Sequence, residues 1–371
     1  MDIKELVVPE RILMGPGPSN ISYRVLKVMA TPIIGHLDPA FLDIMDEICQ
    51  MLRELFKTKN LITIPISGTG SAGMETSFVN FIEPGDKVII GVCGLFGERM
   101  VDVAERLKAN VVKVESNWGE IISPEKMIDA LKRNLDAKIL AIVHAETSTG
   151  VAQPLEEIGD FIKDRDTLFL VDTVTSLGGM EVKVDEWGID ICYSGTQKCL
   201  SVPPGLSPLT ISSKAYDVLK KRKTKVNSWY LDLTMLTRYW GKERFYHHTA
   251  PISMLFALRE GLRIIMDEGV ENRYARHKKL GDLLKKEFLD LGFTLFSDPN
   301  HSLPMLNAFK FPLKIKEPEM RQRLLSEYDI EVGGGLGKTK GKIWRVGLMG
   351  ESCRLKNILY LVEAIKEIIA N

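Results

Sequence analysis

Short apolar runs alternate with amphipathic stretches through much of the chain. Seven runs are typical of strands, at residues 61–66, 87–92, 111–115, 139–143, 168–171, 191–193 and 209–211. Apolar residues at helical spacing lie between them and predict helices at residues 73–81, 97–107, 124–135 and 155–164. Because strands that alternate with helices form parallel sheets, we predict an α/β domain with a mostly parallel seven-stranded sheet between helices.

The pattern changes after Pro251. Helical patterns at residues 252–267 and 271–291 lead to strands near 306–311, 331–333 and 343–346, and to a final helix from Leu355. This order is typical of a smaller α+β domain. We therefore divide the chain into an N-terminal segment (1–20), a large domain (21–265) and a small C-terminal domain (266–371). We expect the N-terminal segment to contact a partner subunit.

Charge and composition narrow the class of protein. The 371 residues carry 49 Lys and Arg against 49 Asp and Glu, and this balance argues against binding nucleic acid or an anionic membrane through bulk charge. No apolar run approaches the length of a membrane span, and charges stand where a secretory signal needs apolar residues. The five cysteines form no C-x-x-C pair, so we expect free thiols, no metal site and a cytoplasmic protein.

A glycine-rich tract, residues 67–73, follows the first predicted strand and opens a helix. The backbone N–H groups of such a turn can hold a phosphate at the positive end of the helix. Gly68, Gly70 and Gly73 also match the G-x-G-x-x-G pattern of dinucleotide sites, so an NAD-dependent oxidoreductase is an alternative. That fold needs an acidic residue after the next strand, where Cys93 and Gly94 stand. We favour a phosphate cradle over the dinucleotide site and over a plain tight turn.

A second glycine-rich tract, residues 333–339, ends like a P-loop. The P-loop pattern needs glycine five positions before Gly337, where Val332 stands. The tract also precedes a predicted strand, whereas a P-loop precedes a helix. We predict a flexible loop here.

Two ionisable residues follow buried runs in the sheet. Asp172 comes directly after the run 168–171, at the strand end where open α/β sheets bind ligands, although it could simply cap the next turn. Lys198 follows the run 191–193 through small residues and precedes an apolar, proline-rich stretch that would lower its pKa, although most lysines are solvated. An amine, a buried carboxylate and a phosphate cradle at one sheet edge are what pyridoxal 5'-phosphate requires.

Seven tracts carry a resemblance to a known family. They are Gly15-Pro16-Gly17-Pro18-Ser19-Asn20, residues 67–70, residues 144–151, Val171-Asp172, residues 193–198, Tyr246-His247-His248-Thr249 and Trp344-Arg345-Val346-Gly347. In order and spacing the chain resembles the alanine–glyoxylate and serine–pyruvate aminotransferases, class V of the fold-type I pyridoxal-phosphate enzymes. The resemblance implies that fold, pyridoxal phosphate as cofactor, and a homodimer with shared active sites.

The resemblance also implies a role for each matching residue. Lys198 corresponds to the lysine that forms the Schiff base and moves protons, and Asp172 to the partner of the pyridine nitrogen. The other implied contacts are Gly70, Ser71 and Gln197 to the phosphate, Thr147 near the phenolic oxygen, Phe96 on the ring, Tyr246 and Thr249 from the neighbouring subunit, and Arg345 to the substrate carboxylate. Gly17 and His36 are further candidates for substrate contact.

Three of these positions differ from the animal enzymes. Ser71 stands where they carry histidine, and Phe96 where they carry the tryptophan that stacks on the cofactor. A phenyl ring can stack as well. The tract 35–39, which contains His36, resembles the corresponding tract of bacterial and insect relatives. These three differences bear on which substrate the enzyme uses.

The resulting hypothesis is a ping-pong aminotransferase that moves the amine of L-serine or L-alanine to pyruvate or glyoxylate through Lys198. A small donor is favoured because no second cation beside Arg345 is evident and the backbone near Gly17 leaves little room. Ureidoglycine–glyoxylate transamination is an alternative on the same fold. A cysteine desulfurase using Cys353 and a cofactor-binding protein without turnover are less favoured.

Overall fold

The computed structural model describes residues 3–312, 315 and 317–370. Its β-strands are, in chain order, β1 Ile12–Leu13, β2 Ile62–Ser67, β3 Lys87–Val92, β4 Asn110–Glu115, β5 Ile139–Val143, β6 Ala145–Glu146, β7 Val151–Ala152, β8 Leu168–Asp172, β9 Ile191–Tyr193, β10 Leu206–Ile211, β11 Thr294–Leu295, β12 Leu306–Lys310, β13 Ile330–Glu331, β14 Gly333–Gly334 and β15 Ile343–Gly347. Its α-helices are α1 Tyr23–Met29, α2 Pro39–Phe56, α3 Gly70–Val79, α4 Leu95–Arg106, α5 Pro124–Arg133, α6 Glu156–Ile162, α7 Ser213–Lys220, α8 Leu233–Trp240, α9 Ile252–Glu268, α10 Val270–Asp290, α11 Glu317–Tyr328 and α12 Leu355–Ala370.

Seven strands form the large sheet, in the order β2-β10-β9-β8-β5-β3-β4. β10 runs antiparallel to both of its neighbours, and the other neighbouring pairs are parallel. The central strands β5 and β8 are buried along their whole length, which explains why they read as continuous apolar runs. The predicted α/β fold with a mostly parallel seven-stranded sheet is confirmed.

The structure corrects the start of the last strand of this sheet. β10 begins at Leu206, before the predicted run 209–211, although Pro208 lacks the N–H that a central strand normally donates. On the β9 side the hydroxyl of Ser207 donates to the carbonyl of Ser194 (2.5 Å) and replaces that missing donor. A side chain one residue away therefore lets proline continue the strand.

The C-terminal residues build a second, antiparallel sheet in the order β11-β12-β15-β14. β14 corrects the first two residues of the predicted flexible loop (333–339), since Gly333 pairs with Arg345 and Gly334 with Trp344. Farther along this tract, Gly337–Thr339 form a short 3-10 helix. Two glycines carry none of the β-branched or aromatic side chains by which a strand is recognised in a sequence. This pairing brings the glycine tract next to a residue expected in the active site.

The two sheets have separate hydrophobic cores. One core runs from Val25 to Ile265, and the other joins Met14 to residues between Leu280 and Ile368. β1 pairs with β13, so the chain near Met14 packs on the C-terminal unit. The cores support a division near residue 265. That division and the contact of residues 1–20 with a partner subunit stay predictions.

Two observations bear on the environment of the protein. Within the described residues, no helix has both the length and the apolar composition to cross a membrane. All five cysteines are buried and free.

Candidate active site

A cavity of about 230 Å³ opens at the carboxyl ends of the parallel strands, the edge at which open α/β sheets bind ligands. Seven of the residues singled out in the sequence line it: Gly70, Ser71, Phe96, Thr147, Asp172, Gln197 and Lys198. These residues come from five separate loops or strand ends. The fold therefore brings together most of the predicted site.

Asp172 ends β8 and is almost completely buried. Its carboxylate accepts hydrogen bonds from the Val174 N–H (2.8 Å) and from the Tyr193 hydroxyl (2.8 Å). The first of these is the turn cap considered from the sequence. Burial raises the pKa of Asp172 to about 6, against the effect of the hydrogen bonds. A carboxylate that is desolvated in this way favours a cationic partner, and Asp172 lines the cavity where one can bind.

Tyr193 is a member of the site that sequence reasoning missed. It stands opposite Asp172 in the β8–β9 register and is completely buried. Desolvation and the charge of Asp172 raise the pKa of Tyr193 well above its usual value. Its hydroxyl therefore stays protonated and keeps donating to Asp172. The parallel register of two predicted strands was the signal that would have found it.

Lys198 reaches the same cavity from the loop after β9. Its side chain is 9% exposed, and its Nζ donates to the carbonyl of Pro16. Burial lowers the pKa of Lys198 to about 8, and the nearby charge of Arg345 adds to the effect. An amine with this pKa loses its proton close to neutral pH, which a nucleophile or general base requires.

The N-terminal segment covers Lys198. Gly17 has a φ of +105°, and a Cβ placed there would lie 2.6 Å from the Lys198 Nζ. Ser19 attaches the segment to the loop, because its N–H donates to the Gln197 carbonyl (2.9 Å) and its hydroxyl to the Lys198 carbonyl (2.8 Å). Glycine at position 17 thus allows the backbone to approach the amine closely.

The glycine-rich tract forms the N-terminal end of a helix, as predicted. α3 begins at Gly70, earlier than the predicted residue 73, and the Thr69 side chain does not cap it. The first N–H groups of a helix have no partner within the helix, so they are free to bind an anion. Gln197 lies beside them in the cavity wall, and the NH₂ group of its amide is a donor that a phosphate oxygen can accept. The tract fits a phosphate group.

Phe96 lies in the first turn of α4 and lines the cavity. The guanidinium of Arg99 lies over its ring, 4.9 Å from the centroid, and Arg99 lines the cavity as well. The sequence reasoning had found no second cation beside Arg345, and the structure corrects this. The i, i+3 spacing of Phe96 and Arg99 on a helix was the signal that placed them together.

Arg345 lies in β15 and is 6% exposed. Its Nε donates to the Gly334 carbonyl (2.8 Å), and one terminal nitrogen approaches the Thr147 carbonyl (3.5 Å). Burial lowers the pKa of Arg345 to about 10. Glu351, six residues farther along the chain, forms an ion pair with Arg354 and not with Arg345. Within the described residues no carboxylate lies at salt-bridge distance from Arg345, so its charge is available to a ligand.

Five predicted residues are not among those that line the cavity: Gly17 and Arg345, described above, and Tyr246, Thr249 and His36. Tyr246 and Thr249 are exposed, and the Tyr246 ring contacts that of His36 (5.3 Å between centroids). The tract that carries them is nevertheless close to the phosphate cradle, because His248 hydrogen-bonds to Ser67 (2.8 Å). Contact of Tyr246 and Thr249 with a cofactor in the neighbouring subunit stays a prediction, and so does substrate contact by His36.

The lining residues fit pyridoxal 5'-phosphate as a whole. The helix end and the NH₂ group of the Gln197 amide suit its phosphate, and the buried Asp172 carboxylate suits a protonated ring nitrogen. Lys198 is the amine placed to bind its aldehyde, and Phe96 can stack on its ring. A nicotinamide dinucleotide would contact the glycine tract, but it would not explain why Asp172 and Lys198 are buried in the same cavity.

Comparisons with known proteins agree with this geometry. The family model of class-V aminotransferases matches residues 23–355. The (S)-ureidoglycine–glyoxylate transaminase of Bacillus subtilis is 42% identical over 99% of this chain and 92% of its own, and the alanine–glyoxylate aminotransferase of Rattus norvegicus is 38% identical over 98% and 89%. The crystal structure of alanine–glyoxylate aminotransferase from Nostoc sp. superposes with a TM-score of 0.97, at 48% identity over 100% of this chain and 98% of the other.

The family match rules against the NAD-dependent oxidoreductase alternative and agrees with the predicted family, cofactor and type of enzyme. The chain belongs to the class-V aminotransferases and is a pyridoxal-phosphate-dependent aminotransferase of fold type I.

Proposed function

We propose that the enzyme transfers the amino group of a small amino acid, L-alanine or L-serine, to glyoxylate or pyruvate in two half-reactions. The observation that carries this proposal is the buried pair Lys198 and Asp172, which line one cavity. The buried Arg345 lies close enough for its charge to lower the pKa of Lys198, and it approaches the carbonyl of Thr147 in the cavity wall. Relatives named for glyoxylate as the amino acceptor support glyoxylate as the acceptor here.

The cofactor, when bound, supplies an electron-accepting ring that makes the α-hydrogen of an attached amino acid acidic. Gly70, Ser71 and Gln197 would hold its phosphate, and Asp172 would keep its ring nitrogen protonated. Tyr193 holds Asp172 in place through its hydroxyl. Thr147, which also lines the cavity, would contact the phenolic oxygen of the cofactor.

Lys198 moves the proton. Because its pKa is lowered to about 8, the Nζ is largely neutral in mildly alkaline solution and can take the proton from the α-carbon of the substrate. The same Nζ would hold this proton within the cavity and would donate it in the later part of the half-reaction when the cofactor is bound. The Pro16 carbonyl, which accepts from this Nζ, orients it.

Arg345 binds the substrate carboxylate. Its Nε is held by the Gly334 carbonyl, which fixes the plane of the guanidinium and leaves donors for the two oxygens of a carboxylate. Arginine suits this bidentate contact better than lysine, whose ammonium is a point charge. The covering segment at Gly17 leaves little space, so a small donor is favoured over a bulky one.

Ureidoglycine is the second candidate donor, because a relative named for it is 42% identical over nearly the whole chain. Arg99 gives the cavity a further cation. A panel of L-alanine, L-serine and ureidoglycine, each with glyoxylate and with pyruvate, separates the two. We expect the highest kcat/KM with alanine or serine. A preference for ureidoglycine of tenfold or more would assign the enzyme to that reaction instead.

We also propose a homodimer in the cytoplasm. Exposed aromatic side chains surround Tyr246, among them Trp229 (60% exposed) and Phe245 (48%), and a second subunit would cover such a surface. Five buried free thiols suit a reducing compartment. Mixing an inactive Lys198→Ala subunit with an inactive subunit changed at Tyr246 and Thr249 should restore activity if the sites are shared. Two inactive parents that stay inactive after subunit exchange would contradict shared sites.

A further inference from the structure

The first turn of α4 is capped by side chains from a distant part of the chain. The residue before the helix, Gly94, has no side chain to cap it. The Leu95 N–H donates instead to the Ser148 hydroxyl oxygen (2.9 Å), and the Phe96 N–H donates to Oε2 of Glu146 (3.1 Å), as does the next N–H along the helix at 3.4 Å. The strand end at residues 146–148 therefore supplies the cap.

Glu146 has partners on both of its oxygens. Oε1 accepts from the N–H of Ser148 (3.0 Å) and from its hydroxyl (2.6 Å), while Oε2 takes the helix donors. The Ser148 hydroxyl oxygen accepts the Leu95 N–H, and the single proton of the hydroxyl is donated to Glu146, because an ionised carboxylate can only accept. Donors converge on both oxygens and favour the ionised carboxylate, while burial raises the pKa of Glu146 to about 7.

This carboxylate is completely buried, and so is Ser148. Burying a charge is costly unless hydrogen bonds or an opposite charge compensate. Here the compensation comes from the hydrogen bonds and from the positive end of α4. The fold makes room for the contact, because a Cβ at Gly94 would lie 2.5 Å from the side chain of Glu146. The arrangement is thus built around Glu146.

The capped segment and the capping segment are both walls of the cavity. Phe96 lines it from the first turn of α4, and Thr147, which lies between Glu146 and Ser148, lines it from the strand end. The carbonyl of Thr147 also accepts from Arg345. Fixing the two segments to each other fixes the position of the Phe96 ring relative to the other walls.

We propose that Glu146 is a positioning residue for the cofactor, which, together with Ser148, joins α4 to the Thr147 segment and so holds the Phe96 ring against the face of pyridoxal phosphate. The proposal rests on the proposed cofactor contact of Phe96. Glu146 itself acts through the backbone of Phe96, and no proton transfer by Glu146 is involved.

The test is a double-mutant cycle on the full-length holoenzyme with Glu146→Gln, Phe96→Ala and both changes together. Glutamine keeps the size of the side chain but turns an NH₂ group toward N–H donors on one side. The readouts are the dissociation constant for pyridoxal phosphate, from equilibrium dialysis, and the circular dichroism of the bound cofactor. Asp190→Asn is the matched control, because Asp190 is also a buried carboxylate that accepts a backbone N–H but lies at the opposite end of β9.

We expect Glu146→Gln to weaken cofactor binding about tenfold and to reduce the dichroism, as the loss of hydrogen bonds to a charged group implies. In the Phe96→Ala background the same change should cost less than about threefold, because residues that act through one another are not additive. Asp190→Asn should lower the melting temperature without weakening cofactor binding.

Additive losses in the cycle would overturn the proposal and leave Glu146 as a residue of the fold alone. If Phe96→Ala left cofactor affinity unchanged, the cofactor contact of Phe96 would be wrong, and the proposal would fall with it. If Glu146→Gln does not fold, Ser148→Ala, which removes one member of the cap, takes its place in the cycle and is judged by the same criterion.

Discussion

The proposed cofactor side and the proposed substrate side of the active site are constructed differently. The cofactor side consists of strand ends and helix starts of one parallel sheet, and its ionisable residue Asp172 is held by a turn N–H and by a tyrosine on the next strand. The substrate side combines the covering segment at Gly17 with Arg345 of the second sheet, which is held by a main-chain carbonyl. One side is built on a single hydrophobic core, and the other exists only where two cores meet.

This difference indicates a division of labour. Residues on the sheet edge share one core, so their relative positions change little, which suits a permanently bound cofactor. Gly17 and Arg345 lie on segments that pack on the C-terminal core, so small changes there alter the space for substrate. We therefore expect changes on the first side to affect cofactor and chemistry, and changes on the second to affect KM and specificity.

The largest effect is expected for Lys198→Ala, which removes the amine that binds the cofactor and moves the proton. We expect kcat to fall by about 10⁴-fold or more, since a general base alone contributes about 10²–10⁴-fold. The visible band of the bound cofactor should shift. Lys214→Ala is the control, because Lys214 is a partly buried lysine that donates to Asp190 at the other end of the sheet. Retained turnover in Lys198→Ala would exclude Lys198 as the catalytic amine.

Arg345→Ala should affect the substrate side alone. We expect kcat/KM to fall by an amount equivalent to about 2–5 kcal/mol, as for a charged pair lost from a shielded site, with the cofactor spectrum unchanged. Arg345→Lys should recover little of this loss, because it lacks the planar pair of donors. Arg354→Ala, in an exposed ion pair with Glu351, is the control. If kcat/KM fell only a few-fold in Arg345→Ala, the proposed contact between Arg345 and the substrate carboxylate would be wrong.

The buried amine should also be visible in the stability of the cofactor-free protein. The pKa of Lys198 is lowered from 10.5 to about 8, so between these values the unfolded chain holds a proton that the folded chain lacks. Stability therefore rises with pH through this window. At pH 7 the Lys198→Met protein should be more stable than the wild type by up to about 3 kcal/mol. Urea denaturation at pH 7 and pH 10.5 checks this, and a constant difference would disprove it.

The smallest effect separates the steric role of Gly17 from its backbone conformation. Gly17→Ala places a Cβ 2.6 Å from the Lys198 Nζ, whereas Gly85→Ala has a similar φ (+91°) and nothing within 4 Å. Both variants should lose about 1 kcal/mol of stability from strain at positive φ. Only Gly17→Ala should also lose about tenfold or more in kcat, from displacement of the amine. Equal kinetics in the two variants would show that the covering segment does not constrain Lys198.

Much of the cofactor side could be predicted from the sequence, because each of its residues is recognised from a short stretch of chain. A buried run identifies a strand, the residue after the run lies at the sheet edge, and parallel strands share that edge. Asp172, Lys198 and the tract at Gly70 were found in this way. Tyr193 was missed because its role depends on strand register, and Arg99 because its neighbour on the helix had been considered alone.

The sequence by itself determined the order of strands and helices, the family, and the chemical types of the catalytic groups, because these follow from patterns within short stretches of chain. The tertiary structure alone decided that Gly333 and Gly334 pair with β15 beside Arg345, that the Pro16 carbonyl meets Lys198, and that Glu146 caps α4. Each of these contacts joins residues far apart in the chain, and what creates them is the packing of separate segments into cores. No pattern within one segment carries that information.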